Sequence, residues 1–211
     1  MGRGLVVVLN GPPRSGKTTI ARALIDRLPG HWLNLGVDAM QAATPARLLP
    51  GMGLRPGGEH PDLEPFVVAA FDALYSAVRS LSASGVGVAV DVGHHDEYSR
   101  PLGILQRSAR LLVDVPVLFV GVRCGIHELI ARRAATWGDT PIRELVRLWD
   151  EAVHDPGIYD LEVDTSAQSP DEVCRLIEAR LARGPGSAFS QAAAVASRAD
   201  GSHSPRAGRT A

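Results

Sequence analysis

Five short apolar runs divide the chain, and between them apolar residues return every three or four positions. Residues 5–9, leading into VVVLNGPPRSGKTTIARAL (6–24), form a continuous Val-rich run closed by Asn10-Gly11, which predicts a strand buried on both faces. Over 17–28, Ile20, Leu24 and Leu28 share one face before Pro29-Gly30, which predicts a helix with a sharp stop. Residues 32–37 predict a second strand ending at Asp38, followed by a helix over 39–47. LLPGMGLRPGGEHPDLEP (48–65) carries too much Gly and Pro for regular structure and reads as a mobile loop. A long amphipathic helix is predicted over 66–81. VGVAVDV (86–92) is a third buried strand, with GHHDE at its exit.

A helix over 97–111 then leads to a fourth strand, VPVLFVGVR (115–123). Helices over 126–135 and 142–154 flank TWGDTP (136–141), and YDLEVDTS (159–166) supplies a fifth strand. The last helix opens at Ser169-Pro170, a capping serine before a proline suited to a first helical turn. From Gly184 the composition is Ser, Ala, Gly and Arg without apolar period. That predicts one domain over 1–183 and a disordered tail over 184–211. No internal repeat is visible. Strands alternating with helices imply an α/β fold: a five-stranded parallel sheet with helices on both faces. Ligands of such sheets gather at the strand carboxyl ends, so the strand exits Asn10-Gly11, Asp38, Asp91, Arg123 and Asp164-Thr165-Ser166 are the candidate site.

Composition narrows the function classes. A chain of 211 residues with net charge −1 and no basic run argues against a nucleic-acid or membrane-surface partner. Two cysteines, Cys124 and Cys174, without a CxxC spacing argue against a disulfide framework and for a reducing, cytoplasmic compartment. No signal-peptide layout opens the chain, and no apolar run is expected to span a membrane. Of the 22 basic residues only Lys17 is lysine. A GC-rich genome accounts for the arginine, but not for where the lysine falls.

It falls in Gly11-x-x-x-x-Gly16-Lys17-Thr18, the phosphate-cradling P-loop pattern between a strand and a helix. Backbone amides and the helix N-terminus bind phosphate there. Pro12 and Pro13 donate nothing, so Arg14, Ser15, Gly16, Lys17, Thr18 and Thr19 must form the cradle with Gly11. Lys17 is expected to bridge the β- and γ-phosphates of ATP, and the Thr18 hydroxyl with Asp91 to organise Mg²⁺. Arg123 and Thr165, at later strand exits, are further candidate nucleotide contacts. Asp38 is positioned to accept the proton of an attacking hydroxyl or to cap the following helix. Asp91 also suits a plain strand-end hydrogen-bonding role. His94 and His95 read as surface or acceptor-pocket residues rather than metal ligands. Arg132 and Arg133, beside TWGDTP, suit a closing lid over the transferring phosphoryl group or a solvated helix face. Trp137 suits either base stacking or packing.

VVVLNGPPRSGKTTIARAL, HWLNLGVDAM (31–40), VPVLFVGVRC (115–124) and HDPGIYDLEVDTS (154–166) together resemble the chloramphenicol phosphotransferase-like P-loop proteins, in order, over nearly all of 4–182. The resemblance implies a small lid and ATP-dependent phosphorylation of a small-molecule hydroxyl, antibiotics included. By it Asp38 is the catalytic base and Arg132 a lid arginine. The chain departs from the family at 136–140, where the arginines flanking Gly-Asp are missing: either Arg133 or Arg143 substitutes, or the lid is weaker and the activity altered. It departs again at Pro12-Pro13-Arg14, where the drug-modifying enzyme has small polar residues. Two other readings stay open: a nucleoside or nucleotide kinase, which would want more arginines than Arg47, Arg55 and Arg79 between 39 and 81, and an ATP-binding regulator. A GTPase is excluded, because its Asn-Lys-x-Asp base-recognition sequence needs a second lysine.

Overall fold

The computed structural model describes residues 2–49, 60–137 and 143–194. Five parallel strands, β1 (Val6–Asn10), β2 (Trp32–Gly36), β3 (Gly87–Val92), β4 (Val117–Arg123) and β5 (Leu161–Asp164), lie in the order β2-β3-β1-β4-β5. The central strand β1 pairs in register with β3 (Val6 with Val88) and with β4 (Val6 with Val117). All five of its residues are buried, because an inner strand covered on both faces has no solvated side. That is why these runs lack polar alternation.

Two apolar layers sandwich the sheet. On one side α1 (Lys17–Arg27) and α7 (Pro170–Leu181) pack Ile20, Leu24, Val173 and Ile177 against Val7, Leu9 and Val120. Arg27 ties the two helices through Glu178 and Asp171. Ser169 and Glu172 cap α7 reciprocally, the Ser169 hydroxyl accepting from the Glu172 amide at 3.3 Å. On the other side α3 (Glu64–Ala83) packs Val67, Phe71, Leu74, Tyr75 and Val78, and α4 (Ile104–Leu111) packs Ile104, Leu105 and Ala109, in one core with Val6, Val8 and Val90. With the turn before it, α3 spans Pro61–Ala83, and its 23 residues at hydropathy 1.3 are long and apolar enough to cross a membrane. No such run was expected. Its Val67, Phe71, Leu74, Tyr75 and Val78 are buried on the sheet, while Asp72 and Arg79 pair outward with Arg107 and Asp114. The helix is a core element here. Helices α2 (Val37–Ala42), α5 (Ile126–Trp137) and α6 (Arg143–Val153) stand over the strand carboxyl ends.

Several boundaries depart from expectation for local reasons. The helix predicted over 97–111 begins only at Ile104. Residues before it form an irregular loop, in which the Asp96 carboxylate accepts from the Leu102 and Gly103 amides at 2.7 and 2.8 Å. Glu64 likewise accepts from the amide and hydroxyl of Ser99. The expected helix over 39–47 is split into α2 and a 3-10 turn at Ala46–Leu48, with Pro45 between them. Of the loop expected over 48–65, residues 50–59 lie outside the described residues, and helix begins by Glu64. The centre of TWGDTP, 138–141, lies outside them as well.

The expected disorder from Gly184 does not hold as far as Ala194. A short helix, α8 (Ala188–Ala192), buries Ala188, Phe189 and Ala192. Phe189 sits 5.0 Å from Phe119 and 5.8 Å from Tyr75. The half-buried Asp160 anchors the turn before α8, accepting from the amides of Ser187 and Ala188 at 2.9 and 3.0 Å while its other oxygen accepts from Phe119. One aromatic among alanines carries no period, so the anchor is visible only in three dimensions. Residues 195–211 lie outside the described residues.

Phe189→Ala empties a site between two core aromatics, and the expected loss is about 3–5 kcal/mol of unfolding free energy. Exposed Gln191→Ala should stay within about 0.5 kcal/mol. Urea unfolding of both variants measures the difference, and equal midpoints would show that α8 does not belong to the cooperative core.

Candidate active site

A cavity of about 850 Å³ opens at the carboxyl edge of the sheet. The turn from Gly11 to Gly16 forms its floor, and α1 starts behind it without a side-chain cap, leaving first-turn amides for an anion. Two residues of the turn take positive φ: Arg14 at 71° and Gly16 at 92°. At Gly16 a side chain is strained whatever the space. At Arg14 a non-glycine residue bears that cost, about 1–2 kcal/mol, in an amide-gathering curl of the kind that binds anions.

Gly11, Arg14, Gly16, Lys17, Thr18, Thr19 and Thr165 all line the cavity, as do Asp38, Asp91 and Arg132. The Thr165 hydroxyl donates to the Ser15 carbonyl at 2.8 Å, stitching β5 to the turn. Arg132 reaches over from α5, donating to the Thr165 carbonyl at 2.9 Å and its hydroxyl at 3.2 Å, with Glu128 accepting from its Nε at 2.9 Å. Lys17 donates to the Pro12 carbonyl at 2.8 Å. Burial lowers the Lys17 ammonium to about 8, against the opposing pull of Asp91 and Asp38.

Two expected nucleotide or lid contacts, Arg123 and Arg133, lie elsewhere, while Ser15, expected to contribute its amide, remains in the phosphate turn with its side chain buried. Ser15 is fully buried and does not line the cavity; its hydroxyl has no hydrogen-bond partner among the described residues. Arg123 turns away to pair with Glu162 at 3.2 Å, 5.9 Å over the Tyr159 ring. Arg133 is buried and does not line the cavity. On α5, positions one apart point about 100° from each other, so Arg132 and Arg133 cannot both face one site. Arg143 sits 3.1 Å from His127.

Asp38 lies in the first turn of α2, whose cap is Gly36, so it does not cap the helix. Its side chain is exposed at the cavity. Gly36 explains how the Asp91 carboxylate fits beside β2: a Cβ there would sit 1.7 Å from Asp91 Oδ1. Only glycine lets β2 lie against the Asp91 side chain. The structure adds residues that no motif announced, among them Gln41, Phe71, Tyr98 and Trp149. Trp149 continues the apolar face of α6 with Val146 and Val153, so its pattern in sequence is that of core. His95 stacks on Tyr98 at 4.4 Å and meets Trp149 edge-on at 4.8 Å. His94 is buried behind it, 2.6 Å from the Tyr75 hydroxyl. Neither histidine is at the surface.

Mg²⁺ in nucleotide sites takes a few hard oxygen ligands and keeps its waters. A hydroxyl from Thr18 and a carboxylate from Asp91, both lining the cavity, fit that requirement. Among the described residues no cluster of three or more His, Cys, Asp or Glu offers a different metal cage.

The sequence profile of chloramphenicol phosphotransferase-like proteins matches residues 4–182. A Mycobacterium tuberculosis protein provisionally described as an O-phosphotransferase is 30% identical over 199 residues, covering 83% of this chain and 81% of its own. Among solved structures, the Mycobacterium tuberculosis APS kinase in complex with AMPPNP and APS superposes with a TM-score of 0.60 at 18% identity, over 86% of this chain and 99% of that one. The Deinococcus radiodurans tunicamycin resistance protein gives 0.56 at 23% identity, over 85% and 96%. At such identities the structures speak for the fold, a P-loop kinase sheet.

The Lys17 environment sets a pH dependence. Phosphate favours the ammonium, so raising the pH through about 8 deprotonates Lys17 in the free protein and weakens ATP binding. The expected limiting slope is about tenfold per pH unit, with no contribution from Lys17 below that range. Titration with a fluorescent ATP analogue from pH 7 to 9.5 measures it. Lys17→Met should bind weakly and without that slope, and a wild-type slope in the variant would assign the titration to another group.

Proposed function

The chain belongs to the chloramphenicol phosphotransferase-like family of P-loop phosphotransferases, and from that premise we propose that it moves the γ-phosphoryl group of Mg-ATP to a hydroxyl of a small molecule, with antibiotics such as chloramphenicol among the candidate acceptors. The observation that carries the reading is Asp38. It is an exposed carboxylate with no side-chain hydrogen bond among the described residues, on the same cavity as Lys17 and the phosphate turn.

In the proposed reaction the acceptor oxygen forms a bond to the γ-phosphorus, the bond from that phosphorus to the β,γ-bridging oxygen breaks, and ADP leaves. Asp38 takes the acceptor proton. The turn from Gly11 to Thr19 holds the phosphates, and Lys17 places its ammonium against the β- and γ-oxygens. Arg132, on the lid side, offers a guanidinium to the group in flight. Thr18 and Asp91 would hold Mg²⁺, which when bound neutralises phosphate charge. Catalysis by such a site is chiefly positioning and electrostatics. Two free, buried cysteines, Cys124 and Cys174, are consistent with a cytoplasmic setting.

The test is ADP release from Mg-ATP with mass detection of a phosphorylated acceptor, across hydroxylated antibiotics, nucleosides and nucleotides. Turnover with a phosphorylated product supports transfer. ATP binding without turnover on any acceptor favours a regulator. Asp38→Asn should lower kcat by about 10²–10⁴-fold and leave ATP affinity unchanged. Near-normal turnover in that variant would remove Asp38 as the base.

A further inference from the structure

The phosphate turn holds one residue in a backbone conformation that its type disfavours. The Ser15 amide donates to the Pro12 carbonyl at 3.2 Å, closing a four-residue turn around Pro13 and Arg14. Proline at the second position presets such a turn, and positive φ at the third ordinarily selects glycine or asparagine. Arg14 takes that third position, at φ 71°. Glycine or asparagine would hold the same curl with less strain, so what arginine adds is its guanidinium. Arg14 is exposed and lines the cavity.

Two other cations line the cavity with it. Lys17, from the same turn, donates to the same Pro12 carbonyl at 2.8 Å. Arg132 reaches over from α5 and donates to the Arg14 carbonyl at 3.4 Å. The charges act on one another. Burial is the main cause of the lowered Lys17 ammonium; Asp91 on β3 and Asp38 on α2 oppose it, and the Arg14 guanidinium adds to it. His154, after α6, is held neutral by burial, which lowers it to about 3. Like charges gathered in this way repel until an anion lies among them, and backbone strain of this kind persists where function requires it.

The lid shows why a cation in the turn is needed. Residues 136–142 contain no arginine or lysine. Arg133 is buried and does not line the cavity, and Arg143 sits 3.1 Å from His127. Neither brings the charge that arginines flanking Gly-Asp would bring.

We propose that the Arg14 guanidinium contacts the γ-phosphate of ATP and takes over the part of the missing lid arginines in the transfer. The inference rests on the phosphotransferase reading above and adds a catalytic residue to it. While the acceptor–phosphorus bond forms and the bond to the bridging oxygen breaks, Arg14 donates N–H groups to the γ-phosphoryl oxygens. It keeps its own protons throughout.

The test compares the full chain with Arg14→Asn, which suits positive φ and removes the charge. Calorimetry with Mg-ATP and Mg-ADP reads the γ-contact without any acceptor. ATP affinity should fall about tenfold, equivalent to about 1.4 kcal/mol, while ADP affinity stays within about twofold. An equal loss for both nucleotides, or a loss for neither, overturns the proposal. Removing Arg14 also removes a like charge from Lys17, so the alkaline loss of ATP affinity should begin at a higher pH than in the wild-type chain. An unchanged onset would separate the two cations and overturn it as well. Urea unfolding without nucleotide should give a midpoint no lower than wild type, because the strain at position 14 is relieved. A lower midpoint would make Arg14 a structural residue. With an acceptor identified, kcat should fall by at least about 100-fold, and an unchanged kcat would remove Arg14 from the transfer. Failure of the wild-type chain to bind ATP would overturn the phosphotransferase reading beneath the proposal instead.

Discussion

Asn10 ends the central strand, and the geometry of the site depends on how its side chain is satisfied. It is 1% exposed at the point where three strands separate around the phosphate turn. Its amide donates to the Val153 carbonyl at the end of α6 and to the Tyr159 hydroxyl beside β5, each at 2.9 Å, while its carbonyl accepts from the His94 amide at 2.7 Å. The Tyr159 hydroxyl lies 2.8 Å from His154 Nδ1. Burial lowers His154 to about 3 and raises Tyr159 to about 12. The network is therefore uncharged at neutral pH, which lets it be buried without the desolvation cost of an ion. Gly11 is the next residue. One amide thus joins the start of the phosphate turn, the backbone of His94 behind His95, and the helix that carries Trp149.

The same economy of charge explains the single lysine. Arginine holds its proton under any burial and presents a planar fork, while lysine is a compact ammonium whose charge responds to its surroundings. In the turn, surrounded by backbone, Lys17 is lowered by desolvation and raised by Asp91 and Asp38. Those carboxylates favour the ammonium from across the cavity, and Gly36 makes the arrangement possible by letting Asp91 lie against β2. A larger residue at 36 would displace the Asp91 carboxylate that fits the metal and helps keep Lys17 charged. A glycine with no chemistry of its own therefore controls two charged groups.

How much of this was legible in the sequence depended on how local each feature is. The strands and the major helices are visible because burial on both faces and a 3.6-residue period each leave a mark along the chain. The helix over 97–111 was overdrawn, since Asp96 closes a turn onto the Leu102 and Gly103 amides and the Glu64 carboxylate holds Ser99 from α3, a contact that no pattern along the chain shows. Helix α8 was missed because Phe189 gains its energy from Tyr75 and Phe119, residues 114 and 70 positions away. Strand order, too, is a three-dimensional fact that hydrophobic runs do not encode.

The candidate site divides along the same line. Phosphate is recognised by backbone amides and one side chain in consecutive residues, so residues 11–19 announce themselves as a motif. Arg123 and Arg133 were plausible by position, yet Glu162 and the helical phase of α5 turn them elsewhere. The rest of the cavity lining has no such locality. It draws side chains from α2, α3, the β3 exit and α6, and Trp149, His95 and Phe71 each follow a pattern that an ordinary core also produces. That lining must therefore be read from which side chains meet in space, and what meets there is aromatic surface from Phe71, Tyr98, His95 and Trp149 with the carboxylates of Asp38 and Asp91.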